Sequence, residues 1–242
     1  MTSRPRYPER LERRLARVAR DLGLDRERLR RWVSFLALCG VLERALREGI
    51  LGTYCLKGGV AMELRFAQRV RATEDLDLVL EGTRARRLHT LSDALRLGFD
   101  EFTFRVKAQT RDMEQADTVR VQVAIQYRTR SWQTIEVDLG PAKAGLVDLV
   151  EPRVQGVQEL GIPVISPVRC LGLADQVAQK LHACTGPVAT GRARDVLDIL
   201  LIDMLGELDY PPPKFPHRPD DPKPPWPRLV SLSSDSSHST GS

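Results

Sequence analysis

The stretch LKGGVAMELRFAQRVRATEDLDL, Leu56 to Leu78, restricts the fold more than any other part of the chain. A Gly-Gly pair precedes a helix-like segment, Ala61 to Phe66. Two aspartates, Asp75 and Asp77, then lead into and alternate along a strand-like run, Leu76 to Leu80. Glycines between a strand and a helix let backbone N–H groups approach an anion, because no Cβ stands in the way. Alternation by two puts both carboxylates on one face of the strand. Either that face is only a wet edge, or the carboxylates hold a cation against something the glycines admit.

The surrounding pattern supplies a sheet. Phe102–Lys107, Thr118–Tyr127 and Thr134–Leu139 alternate as strands, and Arg84–Leu97 has helical spacing. Before the glycines, Leu11, Leu15, Val18, Ala19 and Leu22 predict one amphipathic helix. Leu29, Val33, Leu36, Leu42 and Leu46 predict a second, with Asp25 placed to cap it. From Pro167 the chain returns to helix, with apolar stripes at Leu171, Ala174, Ala178, Leu181 and at Val196, Leu197, Leu200, Leu201, Met204. Helices, then strand–helix–strand–helix, then a run of strands give an α/β (α+β) fold, a mixed sheet flanked by helices. The expected division is basic N-terminal helices at 1–50, a core at 51–150, a helical part at 151–208 and a Pro/Ser-rich disordered tail at 209–242.

Composition excludes several classes. No apolar run approaches the length of a membrane span, and the N-terminus lacks the apolar stretch of a secretory signal. Cys39, Cys55, Cys170 and Cys184 are scattered, which argues against a zinc ribbon or disulfide framework and for a reduced, cytoplasmic protein. The net charge is only +5, but residues 1–50 carry 13 Arg against 7 Asp and Glu. Such clustering is the footprint of a phosphate-backbone binder, and Arg13, Arg14, Arg17, Arg20, Arg28, Arg30 and Arg31 are the candidates. A solvated helix face would look the same.

Two carboxylates on one strand face repel unless a cation sits between them. Hard oxygen ligands suit Mg²⁺, which takes its other ligands from water and substrate phosphates. A third carboxylate is available in TIEVDLG: Asp138, with Glu136 on the same side as the alternative.

LKGGVAMELRF, RATEDLDLVL and IEVDL together resemble the core signature of the DNA polymerase β-like nucleotidyltransferase superfamily. More narrowly they resemble the AbiEii-type toxins, which include the MenT-type tRNA-modifying toxins. The likeness runs from about Tyr54 to about Leu201 and includes ADQVAQKLHACTG and GRARDVLDILLI, a block the wider superfamily lacks. It implies that Asp75, Asp77 and Asp138 bind Mg²⁺ or Mn²⁺ with a nucleoside triphosphate in a two-metal site, and that Gly58 and Gly59 cradle phosphate. It further implies that Lys180 neutralises the triphosphate, with Asp195 or Asp198 orienting it, and that Lys57, Arg71, Thr73 and Arg194 line the nucleotide site. The implied reaction is transfer of a nucleotide to an RNA acceptor, the tRNA 3′ end, blocking translation, with a cognate antitoxin as a further partner. A small-molecule or protein hydroxyl would use the same carboxylates, and an inactive nucleotide-binding regulator would keep the fold without the reaction.

Overall fold

The computed structural model describes residues 8–113, 117–142, 145–154, 156–163, 165, 167–186 and 191–208. The expected disordered tail lies outside the described residues. Two helices open the fold, α1 (Pro8–Asp21) and α2 (Arg26–Arg47). Asp25 caps α2, accepting from the Arg28 backbone N–H at 2.7 Å. Then follow β1 (Tyr54–Lys57), α3 (Gly58–Phe66), β2 (Asp75–Leu80) and α4 (Arg84–Leu95). Three long strands come next, β3 (Phe102–Met113), β4 (Thr118–Tyr127) and β5 (Arg130–Pro141). Two short strands, β6 (Val147–Val150) and β7 (Val168–Leu171), precede α5 (Leu173–Thr185) and α6 (Ala193–Leu205). Among the described residues no helix is long and apolar enough to cross a membrane.

The sheet is mixed, in the order β3-β4-β5-β2-β1-β7-β6. β2 runs parallel to β5 and β1 parallel to β7, while the other neighbours are antiparallel. β6 and β7 were not legible in the sequence, because each is only four residues long and Leu171 reads equally well as the start of a helical stripe.

The two faces of the sheet differ. Leu76, Leu78 and Leu80 of β2 are buried in one core with Leu11 and Leu15 of α1, Trp32 and Phe35 of α2, and Leu91 of α4. Asp75 and Asp77 point to the other face. The basic helices α1 and α2 therefore cover the side of the sheet opposite the carboxylates. A smaller cluster joins Met62 of α3 and Val70 to Ile202 of α6.

In α5 and α6 most of the expected apolar stripes do not face inward, although Leu201 packs against the Met62–Ile202 cluster. Leu181, Val196, Leu197, Leu200 and Met204 are exposed. The buried residues are Gln176 and Lys180 of α5 and Asp198 and Ile202 of α6. Periodicity places an apolar stripe but cannot tell that a charged face has a better partner inside.

Several arginines of the basic N-terminus are structural. Arg28 Nε donates to the buried Glu63 carboxylate at 3.0 Å, and its Nη2 donates to the Val70 carbonyl at 2.7 Å. Arg30 pairs with Glu12 and stacks over Trp132, and Arg14 donates to the Leu160 carbonyl. Arg17 and Arg20 stay exposed. Arg28 thus pins the segment from Ala67 to Thr73, which carries Arg71 and Thr73 forward. Removing it strands a buried carboxylate, so Arg28→Ala should cost about 3 kcal/mol of stability, measured by denaturant unfolding.

Candidate active site

The strand registers build a row of four charges. Lys57 lies opposite Asp77 across β1 and β2, Asp77 lies beside Asp138 across β2 and β5, and Asp138 lies opposite Arg120 across β5 and β4. Neighbouring strands are about 4.8 Å apart. The row therefore reads cation, carboxylate, carboxylate, cation on one sheet face. Asp75 and Glu136 form the adjacent row with Gln122.

The Gly-Gly pair is explained by what lies against it. Gly58 has φ +62°, and a Cβ there would strike the Asp77 carboxylate, only 3.0 Å from its Cγ. A Cβ on Gly59 would stand 2.5 Å from Thr73 Oγ1. Both glycines open α3, so the helix N-terminus comes directly against the carboxylate strand. Thr73 Oγ1 in turn donates to Asp75 Oδ1 at 3.1 Å, fixing that side chain. Burial beneath Gly58 pushes the Asp77 carboxyl above the usual carboxylate range. Lys57 opposes this, and the charges of Asp75 and Asp138 add to it.

The helices α5 and α6 close the other wall. Lys180 Nζ donates to Asp198 at 2.6 Å and to Asp195 at 3.3 Å. Both aspartates therefore reach the lysine, and the buried Asp198 makes the shorter contact. Asp198 also takes two hydrogen bonds from the Arg71 guanidinium, at 2.9 and 2.8 Å. The spacing of Arg194 and Asp198 allows a helix ion pair, but Asp198 turns to Lys180 and Arg71 instead, while Arg194 stays exposed. The result is a polar cleft of about 420 Å³, walled by Lys57, Gly58, Gly59, Arg71, Thr73, Asp75, Asp77, Lys180, Arg194 and Asp195. Arg192, Gln176 and Gln179 also line it. Arg65, near the motif in sequence, turns away to Asp148 at 2.6 Å.

Arg120 is the residue sequence reasoning missed. Its Nε and Nη2 donate to both oxygens of Asp138, at 2.6 and 2.7 Å. Its Nη1 reaches Glu136 at 3.1 Å and its Nη2 reaches Asp75 at 3.5 Å. The hydrogen bonds to Asp138 hold its guanidinium charged even more firmly than usual. The only signal in the sequence is an arginine on an alternating strand, and its role depends on the β4–β5 register.

A hard dication suits part of this donor set. Asp75 and Asp77 present carboxylates to the cleft, and the raised Asp77 is the group a cation would relieve. Asp138 is already engaged by Arg120. Among the described residues no three His, Cys, Asp or Glu side chains converge as a metal-binding group.

The family model described as nucleotidyl transferase AbiEii toxin, type IV toxin–antitoxin system, matches residues 41–213. The chain belongs to the AbiEii nucleotidyltransferase toxin family. No curated protein matches it in sequence. Among solved structures it is similar to MenT4, a nucleotidyltransferase toxin of Mycobacterium tuberculosis H37Rv, with TM-score 0.52 and 18% identity. That likeness takes in 69% of this chain and 57% of MenT4, so the chain spans little more than half the neighbour's length. It is also similar to ANT(2″)-Ia in complex with adenylyl-2″-tobramycin, with TM-score 0.43 and 18% identity, over 72% of this chain and 90% of that one. The MenT4 likeness shows the fold, and the AbiEii match spans every residue of the cleft.

Two outcomes test the AbiEii cleft. Asp77→Asn removes a charge that desolvation penalises, so it should raise the melting temperature. The folded carboxyl ionises above the unfolded one, so wild-type stability falls as pH rises through that interval. The gain should be absent below about pH 4 and level off above the raised value, by thermal denaturation across pH. Asp198→Ala takes away the carboxylate of Arg71 and leaves Lys180 only its longer contact to Asp195, at 3.3 Å, and should cost about 3 kcal/mol, by denaturant unfolding.

Proposed function

We propose that the chain transfers a nucleoside monophosphate from a nucleoside triphosphate to an RNA hydroxyl, the tRNA 3′ end, and so blocks translation. The observation that carries this reading is the convergence, in one cleft, of paired carboxylates, a glycine-opened helix N-terminus and five cationic side chains. Asp75 and Asp77 would hold Mg²⁺ or Mn²⁺, which when bound offsets negative charge on the triphosphate. The α3 N-terminus at Gly58 and Gly59 offers backbone N–H groups to phosphate. Lys57, Lys180, Arg71 and Arg194 supply positive charge around it. The acceptor oxygen bonds to the α-phosphorus, the bond to the bridging oxygen of the β-phosphate breaks, and pyrophosphate leaves. The acceptor proton passes to solvent.

Asp198 and Asp195 hold Lys180 at the cleft, and Asp198 fixes Arg71 beside it. Thr73 orients Asp75. This is catalysis by positioning and charge, in which one lost carboxylate should cost several kcal/mol of barrier. The acceptor reaches the cleft past Arg192 and Arg194, because α1 and α2 lie behind the sheet. A toxin of this family requires restraint, and a cognate antitoxin is the partner expected to supply it.

The test incubates the purified chain with Mg²⁺, total tRNA and each α-labelled NTP in turn, with Asp77→Ala alongside. Label on tRNA from one or two nucleotides, lost in the variant and weakened as salt rises, is the expected result. Bound nucleotide without labelled RNA would move the acceptor to a small molecule or a protein.

A further inference from the structure

The position of Arg120 bears on how many cations this site uses. Its guanidinium lies over three carboxylates at once: it makes two short bonds to Asp138, one to Glu136 and a longer one to Asp75. The contact is not a chance of side-chain rotation. Arg120 and Asp138 are direct register partners in the β4–β5 ladder, and the flanking ladder positions pair without a bulge. Both oxygens of Asp138 are used, and its side chain is only 13% exposed. A planar fork matching a carboxylate in this way is the most specific pairing an arginine can make.

A dication taking Asp138 as ligand would meet two obstacles. It would have to displace two charge-assisted hydrogen bonds, and it would then sit beside the guanidinium it displaced. Asp77 makes no such bond to Arg120, and Asp75 meets it only through the single contact at 3.5 Å. Asp77 has Lys57 across the ladder rather than bonded to it, and Asp75 receives one hydroxyl from Thr73. The row of charges is thus asymmetric: its β1–β2 half is open to a cation and its β4–β5 half is already filled by one.

We propose that Arg120 takes the place of a second metal ion, so that the chain works with a single divalent cation held by Asp75 and Asp77. Asp138 is then a positioning residue. It anchors Arg120, whose fixed positive charge faces the carboxylates from the β4 side and leaves the cleft open on the β1 side. The proposal rests on the reading of the cleft as a metal–nucleotide site.

The test is a Mn²⁺ titration of the full chain, saturated with a non-hydrolysable α,β-methylene NTP analogue and followed by electron paramagnetic resonance. The wild-type complex should bind one Mn²⁺, and Arg120→Ala, which frees Asp138 and Glu136, should bind two. Two ions in the wild type, or one in both proteins, overturns the assignment to Arg120. Should Arg120→Ala fail to fold, Asp138→Asn decides. It should leave one Mn²⁺ bound, with affinity lowered by no more than the roughly 100-fold that loss of a supporting residue costs, whereas a larger loss would make Asp138 a ligand and overturn the proposal. Absence of Mn²⁺ binding in every protein overturns the metal–nucleotide reading itself, an outcome distinct from two-ion binding.

Discussion

Lys57, Asp77, Asp138 and Arg120 stand side by side across four strands, and the rest of the molecule is arranged around that row. Two carboxylates on adjacent strands repel, and burying one of them raises its pKa further. The sheet tolerates this because each end of the row carries a cation. The raised Asp77 carboxyl is of the kind that sites retain for function. The Gly-Gly pair follows from the same row: only residues without a Cβ let the first turn of α3 sit against Asp77 and Thr73.

The helical hairpin of α5 and α6 is held by buried polar groups as well as by its apolar contact with Met62 and Val70. Asp198, nearly fully buried, gathers Lys180 from α5 and Arg71 from the segment before β2. Exchanging such a triad for apolar residues would often be neutral for stability, so its presence points to the cleft it lines. Leu173, Val177, Leu201, Ile202 and Leu205 pack inward with Met62 and Val70, while Leu181, Val196, Leu197, Leu200 and Met204 face outward.

Arginine does two jobs in this chain. Arg28 and Arg30 lie in the region of densest positive charge, yet they hold Glu63, Glu12 and backbone carbonyls within the fold. Arg71, Arg192 and Arg194 face the cleft. Sequence charge density located the first group and overstated its availability, since a guanidinium buried against a carboxylate is counted the same as a free one. The second group is sparse in sequence and concentrated only by folding.

The sequence by itself determined the order of elements, the mixed sheet and the placing of Asp75 and Asp77 on one strand face, because alternation and helical spacing are local properties of the chain. It also marked Gly58, Gly59, Asp138, Lys180 and the Asp195–Asp198 pair as candidates. Tertiary structure alone decided that Asp77 and Asp138 are register neighbours, that Asp198 serves Lys180 and Arg71 rather than Arg194, and that Arg120 closes the row. Each of these depends on which strand lies beside which and in what register. Residues 120 and 138 become partners only when β4 folds back on β5, and residues 71 and 198 only when α6 returns to α3. No local pattern encodes pairings set by packing across that much chain.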